Sequence, residues 1–272
     1  MKKILITLAT IISGVAILLG MDLGRLSFAH VDAGGHQLRL LICGQGNPTV
    51  VFEAGGSGAD GGPLEAWVRV QPEVSKFTRT VSYDRAGIGL SAPGPAPRDA
   101  RQIARELHTV LGNARIAPPY ILVAHSFGGP FVRVFAGLYP GEVSGMVLVD
   151  PTQEEFIEWN QAREPNQRHD DEWKDIQASL TEAHESAVPP GIPVVLITAM
   201  GPRVFPDFVT QQQKEDFQTL KPMWLQFHSE WLTKLPNGKH LVTEDSGHMV
   251  PFEQPELIIS EIRKMVQQTG NR

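Results

Sequence analysis

The sequence feature that most restricts the fold is the stretch at residues 120–129, where an apolar run, a serine and an amphipathic pattern follow one another. Its first residues are apolar and partly β-branched without alternation, which is typical of a parallel strand that is covered on both faces. Pro130 and the apolar spacing that follows predict a helix, with its buried face at Phe131, Val134, Phe135 and Leu138. Ser126 is therefore predicted to occupy a sharp corner between strand and helix.

Small residues flank this serine, Ala124 on the strand side and Gly128 on the helix side. The resulting pattern, small-x-Ser-x-Gly, is that of a nucleophile elbow with alanine in place of the usual first glycine. The strained backbone of such a turn holds the serine above the carboxyl edge of the sheet, and it fits only between small neighbours. The pattern therefore indicates a nucleophilic serine that needs a base within reach.

Strand and helix patterns alternate along the rest of the chain, which implies a parallel sheet. Strands are predicted at residues 25–31, 37–43, 49–52, 80–83, 120–123, 145–149, 192–198 and 239–243. The first two form a hairpin around Gly34 and Gly35. Helical patterns cover residues 64–77, 103–114, 205–235 and a final segment from Pro255. A chain of 272 residues is long enough for one large α/β domain, which we assign to residues 25–272.

Residues 151–190 differ from the alternating elements around them, because they are polar and charged and show no clear strand pattern. Since they lie between two predicted core strands, we interpret them as a small helical cap over the edge of the sheet. The alternative is that residues 151–190 form a surface segment without a functional role. Farther along the chain, Trp224, Phe227 and Trp231 follow helical spacing, and we interpret this aromatic stripe as packing.

The charge balance and the cysteine content argue against several kinds of site. Acidic and basic residues are interspersed and the formal net charge is −6, so no basic face is available for nucleic acid. The single cysteine, Cys43, cannot form an internal disulfide, and its apolar neighbours predict that it is buried. No cysteine and histidine spacing is typical of a zinc site. We therefore expect neither a metal nor a cofactor.

Residues 1–24 predict export. Lys2 and Lys3 precede an uncharged apolar run at residues 4–20, which suits a targeting signal better than an element of a folded domain. The run is longer than the ~7 to 15 residues of a usual signal core and close to the minimum for spanning a bilayer, so a cleaved signal peptide and an N-terminal membrane anchor both stay open. The predicted location is periplasmic or secreted, or at a membrane through this segment.

A glycine-rich loop that includes Gly55 and Gly56 follows the predicted strand at residues 49–52. No Gly-Lys-Ser/Thr sequence follows and the glycines lack dinucleotide spacing, which argues against a phosphate-binding loop. Simple flexibility is a second alternative. Residues without bulk allow backbone N–H groups to approach a substrate oxygen, so we interpret the loop as one side of an oxyanion hole.

His248 is the predicted base for Ser126, because it follows the last predicted strand and so lies at the same edge of the sheet. His125, next to the serine in the chain, is interpreted as structural. Two carboxylates between serine and histidine could orient the base: Asp150 directly follows a strand, whereas Asp207 lies well beyond the next one. We favour Asp150, since Asp207 would need a longer return than the usual short connection.

Together these motifs resemble those of the serine hydrolases of the α/β-hydrolase fold, and the likeness extends over nearly the whole chain from about residue 25. It depends on the elbow and on residues 50–56, 83–91, 148–150 and 246–248. The resemblance implies a mostly parallel eight-stranded sheet with helices on both faces. It also implies Ser126 as nucleophile, His248 as base, and the N–H groups of Gly56 and Phe127 as the oxyanion hole. The motif around Arg85 would brace the loop beside the elbow.

The chain departs from this family pattern at two places. Ala54 and Gly55 stand where many relatives have His-Gly before the oxyanion residue. Many relatives also carry Gly-x-x-Asp after the strand at residues 192–198, and here residues 199–203 contain no acid. Because of the second departure, the resemblance does not itself assign the acid, and the choice of Asp150 over Asp207 depends on their positions after the strands.

The predicted activity is carboxylesterase-like hydrolysis of a small-molecule ester, or of an amide, through an acyl-enzyme. Dehalogenase and epoxide hydrolase relatives use aspartate at the elbow, so Ser126 argues against both. A proline-type aminopeptidase is an alternative, in which Glu154, Glu155 or Glu158 would hold the substrate amine. The alternative from another class is a ligand receptor or anchored interaction module that keeps the fold without useful turnover.

Overall fold

The computed structural model of the chain describes residues 26–56, 66–155, 171–203 and 210–270. Its strands are β1 (Leu26–Asp32), β2 (Gln37–Cys43), β3 (Thr49–Glu53), β4 (Thr80–Tyr83), β5 (Tyr120–His125), β6 (Val143–Val149), β7 (Val194–Ala199) and β8 (Gly238–Thr243). They form one sheet in the order β1-β2-β4-β3-β5-β6-β7-β8. Strand β2 runs antiparallel to β1 and β4, and every other neighbouring pair is parallel. The predicted mostly parallel, eight-stranded sheet is confirmed.

The helices in the described ranges are α1 (Gln71–Val74), α2 (Ala100–Asn113), α3 (Gly128–Leu138), α4 (Asp171–Glu185), α5 (Gln211–Thr233), α6 (Val250–Glu253) and α7 (Pro255–Thr269). Helix α2 begins after Asp99, whose carboxylate accepts a hydrogen bond from the N–H of Gln102 at 2.8 Å. The helix predicted at residues 64–77 is wrong in extent, because the described part of that range has turns on both sides of the short α1.

Side chains of the central strands point alternately to two apolar layers, one on each face of the sheet. Val51 belongs to the layer covered by α2 and α3, whereas Val50 and Phe52 belong to the layer covered by α7. Because both faces are covered, these strands have no polar side, which explains the unbroken apolar runs in the sequence. Cys43 is buried as predicted, and burial raises the pKa of its thiol to about 12.

The order of the strands brings the predicted site residues to one edge of the sheet. Ser126 directly follows β5, Asp150 directly follows β6, and His248 lies in the loop after β8. Parallel strands end on the same side, so the three loops meet there. Only β7 separates β6 from β8, which leaves Asp150 two strands away from the loop of His248.

The insertion predicted at residues 151–190 is described in part, since residues 156–170 lie outside the described ranges. Its helix α4 packs against α2 and α3. Two carboxylates of α4 fasten it there: Asp175 accepts from the N–H of Arg98 and Glu182 from the N–H of Arg101, both at 2.8 Å. That this insertion acts as a cap over the site stays a prediction.

No helix in the described part of the chain is long and apolar enough to cross a membrane. The segment at residues 1–24, on which the predictions of export and anchoring depend, lies outside the described residues. Both predictions therefore stay untested by the fold.

Candidate active site

Ser126 lies on the corner between β5 and α3, where the sequence predicts it. Its backbone has a φ of 52°, in the left-handed region that residues other than glycine seldom adopt. Its N–H donates to the carbonyl of Val149 at 3.1 Å, which ties the corner to the neighbouring strand. A Cβ at Gly128 would lie 2.8 Å from the carbonyl oxygens of Glu53 and Ala54, so only glycine fits there.

His248 bridges the serine and the carboxylate. Its Nε2 lies 3.0 Å from Ser126 Oγ, and its Nδ1 lies 2.6 Å from Asp150 Oδ2. An ionised carboxylate only accepts hydrogen bonds, so Nδ1 carries the proton and Nε2 is left to accept from the serine hydroxyl. The structure thus brings Ser126, His248 and Asp150 together in the geometry that activates a serine nucleophile.

Asp150 is a buried carboxylate with three hydrogen-bond donors. Its Oδ1 accepts from the Ala199 N–H and from Trp224 Nε1, both at 3.0 Å, while Oδ2 faces His248. Burial raises the pKa of this carboxyl, but the hydrogen bond and the charge of His248 outweigh that effect and leave the pKa lowered. Asp150 is therefore ionised at neutral pH. Asp207, the alternative acid, lies outside the described residues.

The contact between Trp224 and Asp150 corrects the interpretation of the aromatic stripe on α5. Packing is the right description for Trp231, which is 8% exposed within the core. It is wrong for Trp224, because the indole N–H donates to the carboxylate. A tryptophan on the helix that follows β7 gives no local signal of this role, and only the sheet order shows which face of α5 meets the site.

His228, one turn farther along α5, is a second residue that sequence reasoning does not identify. Its imidazole is fully buried, with Nε2 at 2.8 Å from the carbonyl of Pro151 and Nδ1 at 2.6 Å from Thr198 Oγ1. Burial lowers the pKa of His228 to about 4, despite the opposing effect of nearby Asp150. The ring is thus neutral at pH 7 and holds the segment after Asp150 against β7.

His125 has the structural role that the sequence suggests. Its Nε2 lies 2.8 Å from the carbonyl oxygen of His248, to which it donates. Burial, and the repulsion from His248, lower the pKa of His125 to about 3, so it carries no charge at neutral pH. A neutral ring that donates to the backbone of His248 positions the base without competing for its proton.

Gly56 and Phe127, whose N–H groups are the predicted oxyanion donors, belong to two segments that meet at the serine corner. The glycine loop passes close to it, because a Cβ at Gly55 would come within 2.8 Å of Ser126 Cβ. Phe127 immediately precedes α3, so its N–H belongs to the positive end of a helix. Among the residues that the structure describes, neither N–H has a hydrogen-bond acceptor. Two unengaged donors beside a serine are able to bind an oxyanion.

A buried ion pair holds the glycine loop. Arg85 pairs with Glu53 at 2.5 Å, and its other guanidinium nitrogen donates to the carbonyl of Gly55 at 2.8 Å and to that of Gly56. Glu53 also accepts from the hydroxyl of Tyr83. Burial raises the pKa of Glu53, while Arg85 and then Tyr83 act in the opposite direction. Arg85 therefore braces the loop, as the family resemblance implies.

Two cavities meet at Phe127, which lines both of them. The larger cavity has a volume of about 450 Å³ and an apolar wall that includes Ala86, Ile88, Ile103, Phe131 and Ile176. The smaller cavity has a volume of about 210 Å³ and contains Ser126, Asp150, His248, Arg203, Lys221 and Trp224. No group of three or more histidine, cysteine, aspartate or glutamate side chains within the described ranges is arranged to hold a metal ion.

Comparisons with known proteins agree with this fold. A family model described as alpha/beta hydrolase fold matches residues 48–198. The uncharacterised protein YqjL of Bacillus subtilis is 27% identical over 222 residues, which cover 79% of this chain and 82% of that protein. An uncharacterised vacuolar membrane protein of Saccharomyces cerevisiae is 36% identical over 112 residues, which are 40% of this chain and only 17% of the yeast protein.

Among solved structures, the carboxylesterase CesB of Bacillus subtilis superposes with a TM-score of 0.62 at 15% identity. The superposition covers 93% of this chain and 95% of the esterase. At that level of identity the likeness shows the shared fold.

Proposed function

The chain belongs to the α/β-hydrolase fold family, and from that membership we propose that it is a serine hydrolase that cleaves small carboxylic esters through an acyl-enzyme. The observation that carries the proposal is the contact of His248 with both Ser126 Oγ, at 3.0 Å, and Asp150 Oδ2, at 2.6 Å. A fold alone supports many reactions, so the proposal depends on this site and on the two unengaged N–H groups beside it.

In the proposed reaction, Ser126 Oγ attacks the ester carbonyl carbon while His248 Nε2 accepts the hydroxyl proton. The carbonyl oxygen becomes an oxyanion that accepts hydrogen bonds from the N–H groups of Gly56 and Phe127. When the carbon–oxygen bond to the alcohol breaks, the leaving oxygen takes the proton from His248. Water then attacks the acyl-enzyme, His248 accepts its proton, and the carboxylic acid leaves as Ser126 recovers the proton. Asp150 stabilises the imidazolium in both halves.

The test is to replace Ser126 with alanine and to compare the variant with one in which another serine is replaced. Alanine at Ser126 removes the nucleophile and leaves the corner filled, so kcat for p-nitrophenyl esters should fall by about 10⁴-fold or more. Labelling by a fluorophosphonate probe should disappear as well. Ser186→Ala is the matched control, because Ser186 only donates to a carbonyl of its own helix region, that of Glu182. Substantial turnover by purified Ser126→Ala, or unchanged labelling, would refute the proposal.

An aminopeptidase is less well supported by the described residues. Glu154 is paired with Arg133 at 2.5 Å, and both of its carboxylate oxygens accept from that guanidinium. Its charge is thus already used and is not free for a substrate amine. Glu155 has one buried carboxylate oxygen, Oε2, without a hydrogen-bond partner among the described residues, so it is the described carboxylate that this alternative would use. Glu158 lies outside the described residues. An interaction module without turnover would not need the aligned serine, histidine and carboxylate.

We also propose that residues 1–24 direct the enzyme out of the cytoplasm or anchor it to a membrane. The support is the pair of lysines followed by the apolar run at residues 4–20. Fractionation of the native host tests this proposal. Full-length protein in the soluble cytosol would contradict it, a shortened exported protein would indicate cleavage, and full-length protein in the membrane fraction would indicate an anchor.

A further inference from the structure

The two cavities differ in chemistry as well as in size. In the larger one, the two cations in the wall are paired with carboxylates: the Arg98 guanidinium forms two hydrogen bonds to the Glu106 carboxylate, at 2.5 and 2.7 Å. The Asp175 carboxylate keeps its negative charge, since the group that donates to it, at 2.8 Å, is the neutral backbone N–H of Arg98. The remaining charge, Arg85, is paired with Glu53. Both cations of the wall are therefore paired, and the apolar side chains that make up most of the remaining wall suit an uncharged apolar group.

The smaller cavity combines polar and charged groups with the apolar side chains of Phe217 and Leu220, and it contains the proton donor. His248 and Ser126 both line it, together with the cationic side chains of Arg203 and Lys221. In the proposed reaction His248 must reach the oxygen of the departing alcohol to protonate it. The alcohol side of the ester therefore lies in the smaller cavity.

The acyl part of the ester has to lie in the larger cavity. Of the proposed oxyanion donors, Gly56 lines only the larger cavity and Phe127 lines both, whereas His248 and Asp150 line only the smaller one. A carbonyl oxygen directed at these donors, with its alcohol towards His248, leaves the larger cavity for the acyl chain. Both assignments come from the positions of the proton donor and the oxyanion donors, and the apolar wall agrees with them.

We propose, on the basis of the serine hydrolase function, that the larger cavity is the acyl site and that the preferred substrates are esters of apolar acids much larger than acetic acid with a compact alcohol. The reaction forms the bond between Ser126 Oγ and the acyl carbon, and it breaks the bond from that carbon to the alcohol oxygen. The proton passes from Ser126 through His248 Nε2 to that oxygen. Aromatic and medium-length aliphatic acids are the acyl groups that fit an apolar volume of about 450 Å³.

A pair of reversed esters tests the direction of binding. Methyl 5-phenylpentanoate and 4-phenylbutyl acetate contain the same atoms, but the first carries its bulk on the acid and the second on the alcohol. We expect kcat/KM to be at least about tenfold higher for the first ester, which is on the order of 1.4 kcal/mol. Ile176→Trp should lower this ratio severalfold by filling the acyl site, since Ile176 lines it from α4. Thr181→Trp, at an exposed position of the same helix, should leave the ratio unchanged.

The outcomes separate this inference from the function on which it rests. A ratio near or below one, in a protein whose Ser126 reacts with a fluorophosphonate, overturns the acyl-site assignment and leaves the serine hydrolase proposal standing. An unchanged ratio in Ile176→Trp also overturns it, provided that the variant melts at the temperature of the native protein. If neither ester is hydrolysed and Ser126 is not labelled, both the function and the inference are wrong.

Discussion

The glycine loop after β3 and the carboxylate after β6 flank β5, the strand that carries Ser126, and buried hydrogen bonds fix both of them. On the loop side the donor is a cation, Arg85, which binds loop carbonyl groups while it pairs with Glu53. On the acid side, the donors to Asp150 Oδ1 are neutral, a backbone amide and the indole of Trp224. The same task of positioning is thus achieved with charge on one side and without it on the other.

The proposed chemistry accounts for this difference. Asp150 has to stabilise the positive charge that His248 gains when it accepts a proton. A cation bound to the same carboxylate would compete for its negative charge and weaken the base. Neutral donors hold the carboxylate without that effect. The glycine loop does not have to stabilise a positive charge, and Glu53 balances the charge of Arg85. A guanidinium with several donors can therefore hold the loop backbone there.

The largest expected effect comes from the acid side. Asp150→Asn should lower kcat for a p-nitrophenyl ester by about 10⁴-fold, because an amide no longer fixes the histidine tautomer or stabilises the imidazolium. The folded structure should persist, since asparagine keeps an oxygen that can accept from Ala199 and Trp224. Steady-state kinetics with a parallel melting curve measure both quantities.

Two further substitutions control this prediction. Asp245→Asn changes an exposed carboxylate in the same loop as His248 and should leave kcat within a factor of two or so of the native value. Asp207→Asn tests the alternative acid. If Asp207→Asn loses activity while Asp150→Asn is nearly as active as the native protein, the acid is Asp207. The contrast between the glycine loop and Asp150 would then have no catalytic meaning.

The next largest effect should come from the loop side. Arg85→Lys keeps a positive charge opposite Glu53 but loses the planar fork that binds several acceptors at once. The loop carbonyls of Gly55 and Gly56 then lose their donor, and the N–H of Gly56 loses its fixed direction. We expect kcat to fall on the order of 10²-fold, as for the loss of one oxyanion donor, with little change in KM.

The control for Arg85 is a partly buried arginine of the same region. Arg39 pairs with Asp84 at 2.7 Å and has no hydrogen bond or ion pair with the described glycines, Gly55 and Gly56, so Arg39→Lys should lower the melting temperature and leave kcat nearly unchanged. If Arg85→Lys behaves in the same way, Arg85 contributes to stability alone. A fall in kcat restricted to Arg85→Lys would instead show that the ion pair positions the oxyanion donors.

Sequence patterns predict the sheet and its serine corner well, because both depend on local signals. Unbroken apolar runs locate the buried strands, and Ala124 and Gly128 mark the tight turn around Ser126. The helix at residues 64–77 is predicted too long, because periodicity alone does not show where turns interrupt it. The choice of Asp150 over Asp207 relies on loop length, and the structure places Asp150 against His248.

The supports of the site are harder to predict, because they join residues that are distant in the chain. Trp224 meets Asp150 across 74 positions, and Arg85 meets Gly55 across 30. The pattern around Arg85 is recognisable because its loop has a family motif. No such motif surrounds Trp224, whose spacing with Trp231 fits an ordinary packing stripe. A helix side chain that supports the site therefore cannot be identified until the order of the strands is known.

The smallest expected effect concerns Trp224, and it tests whether a neutral donor to Asp150 matters for catalysis. Trp224→Phe keeps an aromatic ring in place and removes only the N–H that donates to Oδ1 at 3.0 Å. The loss of one hydrogen bond to a buried carboxylate corresponds to about 1 to 2 kcal/mol, so kcat should fall by about fivefold to thirtyfold.

The pH dependence of Trp224→Phe distinguishes a positioning role from packing. With one donor fewer, more of the negative charge on Asp150 is left to stabilise the protonated imidazole, so a higher pH is needed to free the base. The acid limb of kcat/KM should therefore move to higher pH. Trp231→Phe is the matched control, because Trp231 packs in the core beneath Arg133, and it should lower the melting temperature without moving that limb. If the acid limb of kcat/KM does not move in Trp224→Phe, the indole N–H has no effect on how Asp150 stabilises the protonated His248. The charged donor to the glycine loop and the neutral donors to Asp150 would then differ in structure without a consequence for catalysis.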